Sequence, residues 1–238
     1  MLTELALLSA WENGYGRPAP DRAVTLAAAV SGLPADHVAD LPLGACDRLL
    51  LELREQCFGT RLDGLARCPR CGTELDVGLD VDELRAEGAG GADEPRAGGA
   101  GGADGGGAVE VAGRTVTLRA LTSRDIGSCG GDRDRLLARC LVGEPASPAA
   151  EVLDAVEARL DALDPQAART IDLDCPSCRV SWAASVDVTE FVWTEVDRFA
   201  RRLLHDIHTL ATAYGWREAD VLAISPARRR FYLQACTS

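Results

Sequence analysis

The chain has 238 residues, 47% hydrophobic but only 5% aromatic, enough for one large or two small globular units with a core of Leu, Val and Ala. Its net charge of -12 disfavours general binding to a phosphate backbone, and no stretch approaches the roughly 18–20 consecutive apolar residues that cross a bilayer. The cysteine count of nine is odd, four of them fall in metal-type pairs, and Glu4 stands where a secretory leader would be basic, so a soluble cytoplasmic protein is expected rather than a disulfide scaffold.

In chain order, 3–12 reads as a short helix capped by Thr3, with Leu5, Leu8 and Trp11 on one face. An Ala-rich helix, 21–30, follows the Gly/Pro break. The stretch LPLGACDRLLLELREQCFG is the strongest amphipathic helix of the first third, with Leu49, Leu50, Leu53 and Cys57 at helical spacing between Gly44 and Gly59. It leads into CPRCGTELDVGLDVDEL, whose Leu75, Val77, Leu79 and Val81 alternate as a half-buried strand should. Residues 86–108 are dominated by glycine and are expected to be a disordered linker, because they cannot bury enough surface to offset their ordering entropy. VEVAGRTVTLRAL then reads as a hairpin turning at Ala112, Gly113 and Arg114.

A helical region follows. LTSRDI offers a Thr or Ser cap, DRDRLLARCLV places Leu136, Leu137, Cys140 and Leu141 on a face, and PAAEVLDAVEARLDAL continues with Val152, Val156, Leu160 and Leu163. ARTIDLDC is a strand entering CPSCRVSWAASVDVTEF, whose own strand is expected to run through Trp182, Ala184, Val186 and Val188. The last quarter holds a long stripe, Val192, Val196, Phe199, Leu203, Ile207, Leu210 and Tyr214, ending at Gly215. Shorter helices are expected around 217–224 and 227–235. Seven Arg against five acidic residues make 194–238 locally basic.

The two cysteine segments are one module written twice. Cys68, Pro69, Cys71, Asp80, Val81 and Glu83 recur as Cys175, Pro176, Cys178, Asp187, Val188 and Glu190, each 107 residues on. Two Cys-x-x-Cys turns supply four thiolates, the donor set of a closed tetrahedral zinc site, and a closed site is structural because no position remains for water or substrate. Cys68, Cys71, Cys175 and Cys178 are therefore the expected ligands of one structural Zn. A redox pair is disfavoured because strands follow both motifs, where a thioredoxin-like motif opens a helix. Cys46, Cys57, Cys129, Cys140 and Cys236 lack metal spacing and read as small apolar core residues. His205 and His208 share a helix face without a carboxylate set, and His37 stands alone, so none reads as a ligand. No nucleophile elbow, phosphate loop or paired-carboxylate constellation is present, so no enzymatic activity and no small-molecule substrate are expected.

The tail AYGWREADVLAISPARRRFYL admits two readings. One is a helix-turn-helix with a basic second helix, which would make the protein a zinc-ribbon nucleic-acid-binding regulator. The other is a terminal helical hairpin that packs Trp216, Leu222, Phe231 and Tyr232 and shows its arginines to solvent or an acidic partner. The acidic whole chain favours the second. Partner-facing residues are then Tyr214, Trp216, Arg228, Arg229, Arg230 and Tyr232, of the types that dominate interface energy.

Taken together, LLSAWENG, LPLGACDRLLLELREQCFG, CPRCG with its acidic-apolar strand, LRALTSRDI, CPSC followed by Trp, and AYGWREADVLAISPARRRFYL resemble the zinc-knuckle proteins of contractile phage and injection-system clusters. These are similar to the T-even phage baseplate proteins described as baseplate hub assembly chaperones. The resemblance covers nearly the whole chain except the glycine-rich stretch. It implies a non-enzymatic protein whose partner is a baseplate hub or spike component. The expected architecture is α+β: one small antiparallel sheet of the two knuckle strands and the 109–118 hairpin, with zinc at one end and helices around it. The expected segments are 1–66 (helical), 67–85 (first knuckle), 86–108 (linker), 109–121 (hairpin), 122–168 (helical), 169–193 (second knuckle) and 194–238 (helical), with 67–193 minus the linker as one compact core.

Overall fold

The computed structural model describes residues 2–86, 106–111, 113–143 and 148–236. Most of the expected linker, 87–105, and the hairpin residue Ala112 lie outside them.

Helices and small antiparallel sheets alternate along the chain. The N-terminal helices are α1 (Glu4–Gly14), α2 (Ala19–Ser31), α3 (Ala35–Ala39) and α4 (Leu43–Phe58). Thr3 caps α1 by accepting the Ala6 N–H at 3.1 Å. The face of α1 differs from the expected one: Leu7, Leu8 and Ala10 are buried while Leu5 is 56% exposed. At its end, Gly14 lies so close to the Trp193 indole that a Cβ there would come within 2.7 Å of the ring. The short α3 escapes the periodicity because it is a single turn following Pro34.

Strands β1 (Arg61–Arg67) and β2 (Glu74–Asp80) form one hairpin, with α5 (Val81–Ala86) directly after it. β3 (Gly106–Val111), β4 (Arg114–Arg119) and the two-residue β5 (Leu141–Val142) form a second sheet in the order β3-β4-β5. Residues 106–108 thus belong to a strand rather than to the linker. Between β4 and β5 run α6 (Ser123–Cys129), where Thr122 and Asp125 make a reciprocal capping box, and α7 (Arg133–Arg139). The expected single helix after Pro148 breaks into α8 (Ala150–Glu157) and α9 (Leu160–Leu163). β6 (Thr170–Asp174) and β7 (Ser181–Ser185) form a third sheet, followed by α10 (Val188–Tyr214), α11 (Glu218–Ala223) and α12 (Pro226–Cys236). Gly215, left-handed at φ 68°, ends α10.

The expectation of one sheet is therefore corrected to three separate small sheets. The β3-β4-β5 sheet buries Val116 and Leu118 against Leu137, Cys140, Leu153 and Val156, in a core of its own with α7 and α8. The main core joins α1, α2 and α4 to the start of α10 through Leu26, Leu50, Leu53, Val192 and Val196, and reaches the hairpin roots at Leu62, Val81 and Val188. A third cluster packs Leu203, Ile207 and Leu210 of α10 against Val221 and Leu8. No helix among the described residues is long and apolar enough to cross a membrane.

The repeated Asp-Val-x-Glu is also corrected. β2 ends at Asp80 and β7 at Ser185, so Val81 and Val188 open helices instead of extending the strands. Asp80 accepts the Asp82 N–H at 3.0 Å while Glu83 accepts the Asp80 N–H at 2.9 Å, and Asp187 accepts the Glu190 N–H at 2.9 Å. Each copy of the module is a hairpin that feeds a helix.

Candidate metal centre

Each Cys-x-x-Cys occupies the tip of a two-stranded hairpin. The first tip closes past the Arg67–Glu74 pair and the second past Asp174–Ser181. Their backbones match bond for bond. Cys68 N–H donates to the Thr73 carbonyl and Gly72 N–H to the Cys68 carbonyl, both at 2.9 Å; Cys175 to Val180 and Arg179 to Cys175 repeat both distances. This turn requires a left-handed residue after the second cysteine, supplied by Gly72 at φ 74° and Arg179 at φ 56°. A side chain in that region carries strain of roughly 1 kcal/mol or more. Arg179→Gly is expected to raise stability by about 0.5–1 kcal/mol, read as an upward shift in the melting midpoint with metal content unchanged.

Strand β1 is not among the sequence expectations, which lead the α4 region straight into the first knuckle. Both hairpins turn one apolar face toward the other: Leu62, Gly64, Ala66, Val77 and Leu79 from the first line a shared cleft with Ile171, Ala184, Val186 and Phe191. Gly64 and Ala66 are small, and Phe191 lies 3.8 Å from where a Gly64 Cβ would be.

The tips meet. Cys68 Sγ lies 3.6 Å from Cys178 Sγ, Cys71 Sγ lies 3.5 Å from Cys175 Sγ, and all four sulfurs lie within 4.8 Å of one another. These separations are far beyond the roughly 2.05 Å of a disulfide, and all four thiols are free. Cys68 and Cys175 are 2% exposed, and Cys71 is exposed. Among the described residues this is the one group of His, Cys, Asp and Glu side chains placed to hold a metal ion. His205 and His208 are exposed on α10 and are not part of it.

Local dipoles favour thiolate at two of the four. Hydrogen bonds from the Thr73 hydroxyl and backbone bring Cys71 down to about 6, and the Cys178 N–H lowers Cys175. At Cys178 the Val180 N–H acts in the same direction, but desolvation and the proton-sharing neighbours Cys71, Cys175 and Cys68 push it up to about 12. Four sulfurs this close cannot all ionise without a cation among them. The remaining cysteines behave otherwise: burial pushes Cys46 and Cys140 up to about 11, as expected of inert core thiols, Cys129 is buried, and Cys57 and Cys236 are half-buried.

Two buried arginines fasten the hairpin roots to the helices. Arg54 of α4, 3% exposed, donates to the carbonyls of Gly59 and Arg61 where β1 begins, and pairs with Glu195 of α10 at 3.0 Å. Arg169, 4% exposed, precedes β6, donates to the Leu84 carbonyl at 3.0 Å, and pairs with Asp47 of α4 at 3.1 Å. Neither was singled out in the sequence. The available signal was Arg54 lying four residues beyond Leu50 on the buried face of α4.

Desolvation raises Asp47 to about 7 despite the adjacent Arg169. A folded-state carboxyl raised above its unfolded value holds its proton more tightly in the fold, so its contribution is full below the unfolded range and is lost as pH rises toward 7. Between about pH 4 and 7 the wild type is expected to lose stability relative to Asp47→Asn, and urea melts of both proteins across that range measure the difference.

The residues expected to face a partner are divided by the structure. Tyr214 is 42% exposed, Trp216 and Tyr232 are half-buried, and Arg228 and Arg230 are exposed. Arg229 is not on the surface. It is 4% exposed, bonded to both carboxylate oxygens of Glu4 at 2.7 Å and lying 4.0 Å from Asp206, so it pins α12 to α1 and α10. Phe231, expected to be packed, is 68% exposed. Helix geometry explains both: Arg229 lies on the face of Leu233 and Cys236, and Phe231 faces away from it.

Comparison of the chain with protein-family models, with curated proteins and with solved structures found no match.

Proposed function

We propose that this protein is a non-enzymatic assembly or structural component of a contractile tail or injection-system baseplate hub, braced by one structural zinc ion held by Cys68, Cys71, Cys175 and Cys178. The observation that carries the zinc reading is the convergence of two hairpin tips, 107 residues apart in sequence, into one four-sulfur cluster. A zinc–sulfur bond of about 2.3 Å sets the edge of a regular tetrahedron near 3.8 Å. The 3.5 and 3.6 Å pairs and the 4.8 Å limit bracket that edge. Zinc supplies Lewis-acid charge that keeps all four thiolates ionised. The chain's own contribution is to aim the sulfurs and donate backbone N–H groups to them. Two zinc-ribbon-like knuckles closing one ion make a clasp between chain halves, not a reactive centre.

The baseplate part of the reading rests on the sequence resemblance together with this architecture of a braced core and a separate terminal helical face. Deleting the gene from its host and imaging contractile particles by electron microscopy tests it. Hubless or unassembled tails, restored by the wild-type gene but not by Cys71→Ser, are expected; normal tails in the deletion strain refute it. Against the regulator reading, Arg229 is engaged with Glu4 and Asp206, which leaves Arg228 and Arg230 as the exposed arginines of the triplet. A duplex-DNA titration at low salt is expected to show no binding, whereas salt-sensitive binding abolished by Arg228→Glu/Arg230→Glu would restore it.

A further inference from the structure

The chain has only four Trp, three Tyr and four Phe, yet Tyr214, Trp216, Phe231 and Tyr232 gather in one surface cluster at its C-terminal end. Tyr214 stacks on Trp216 with centroids 4.9 Å apart and planes 25° from parallel. Tyr232 stands edge-on to Trp216 at 5.0 Å, and Phe231 edge-on to Tyr232 at 5.7 Å. With Phe231 68% and Tyr214 42% exposed, the cluster leaves apolar ring surface open to solvent. Arg217 adjoins Trp216, Arg228 lies one turn before Phe231 and Tyr232, and Arg230 precedes Phe231; all three are exposed, and none makes an ion pair among the described residues. The neighbouring acids are Glu218 and Asp220 of α11, and Asp220 accepts the Arg217 backbone N–H at 3.1 Å.

We infer that this face docks an acidic protein segment bearing an apolar anchor, the anchor lodging against Phe231 and Tyr214 and its carboxylates meeting Arg217, Arg228 and Arg230. The inference rests on the assembly reading above and gives its partner a chemistry. Charge selects the occupant, because Arg217, Arg228 and Arg230 stand exposed around the rings and 194–238 holds seven Arg against five acidic residues in a chain with net charge -12. A second copy docking symmetrically would set these arginines against themselves. Single-stranded nucleic acid would have to bring its phosphate backbone up to a chain of net charge -12. Aromatic rings flanked by arginine are the side chains on which interface energy concentrates.

The test is selection of a displayed random dodecapeptide library on the full-length, zinc-loaded protein, followed by titration of enriched peptides against wild type, Phe231→Ala and Arg228→Glu/Arg230→Glu. Acidic peptides with an apolar anchor are expected, weakened about tenfold or more by either variant and weakened further by salt. Both variants change exposed side chains, so unchanged melting and zinc content confirm that lost binding is local. No enrichment, enrichment of neutral or basic peptides, or binding indifferent to both variants overturns the inference. So does tighter binding of an oligothymidylate, or dimerisation by light scattering that Phe231→Ala abolishes. Normal tails in the deletion strain alongside enriched acidic peptides would refute the baseplate reading and leave the docking face standing.

Discussion

Cys71→Ser is expected to release the metal and lower the melting midpoint by 10 °C or more. A structural zinc contributes its binding free energy directly to folding, on the order of 10 kcal/mol in isolated metal-folded peptides. Here part of that energy is replaceable, because the helical core of Leu26, Leu50, Leu53, Val192 and Val196 is complete without the hairpin tips. A loss of several kcal/mol therefore fits better than complete unfolding, and at roughly 2–4 °C per kcal/mol it gives the stated shift. The hairpins should loosen before the helices. Hydrogen exchange in the variant should rise first at Cys68–Thr73 and Cys175–Val180, while α4 and α10 stay protected. A variant with unchanged melting and unchanged exchange at both tips would show that the clasp does not brace the fold.

The second large effect is expected at Arg54. Arg54→Met removes one guanidinium that serves two backbone carbonyls and the Glu195 carboxylate at once, leaving all three acceptors in a largely dry site. Breaking a buried pair from one side costs about 3–5 kcal/mol, mostly through the partner left behind. The melting midpoint should fall by roughly 10 °C. Arg54→Lys should fail to restore it, because an ammonium cannot reproduce the fork that reaches Gly59, Arg61 and Glu195 together. Adding Glu195→Met to Arg54→Met should recover part of the loss, since the stranded carboxylate is then gone. Denaturant melts of the four proteins check this, and a double variant no more stable than Arg54→Met would place the cost in the uncapped carbonyls alone.

The four-cysteine cluster was legible in the sequence because cysteine spacing is a local property and the 107-residue offset makes the two pairs count as one. The long stripe of α10 was legible for the same reason: sustained periodicity over about six turns leaves few alternatives. Strand β1 was not, because its inward positions include Gly64 and Ala66, whose small side chains erase the alternation that Leu75, Val77 and Leu79 display across the hairpin. Projecting β6 back by 107 residues places its counterpart over Arg67 and the residues before it, so the repeat itself carried the missing signal. Val81 and Val188 continue the strand alternation by sequence yet open helices, because Asp80 and Asp187 turn their carboxylates to the first-turn N–H groups. Three consecutive arginines look alike in a sequence, but the helix of α12 sends the middle one inward to Glu4. The single expected sheet became three because the β3-β4-β5 sheet found its own helices, α7 and α8, and its core is separate from the cysteine hairpins.

The central claim is that the two hairpin tips share one ion. It is tested most directly by metal analysis of the purified chain combined with cobalt substitution. One zinc per chain, replaced by cobalt with the intense visible and charge-transfer bands of tetrahedral four-thiolate coordination, is the expected result. Those bands should vanish in both Cys71→Ser and Cys178→Ser. Zinc retained by the Cys71→Ser/Cys178→Ser double variant, or a folded wild type with no metal and all four thiols open to a thiol reagent, would contradict it.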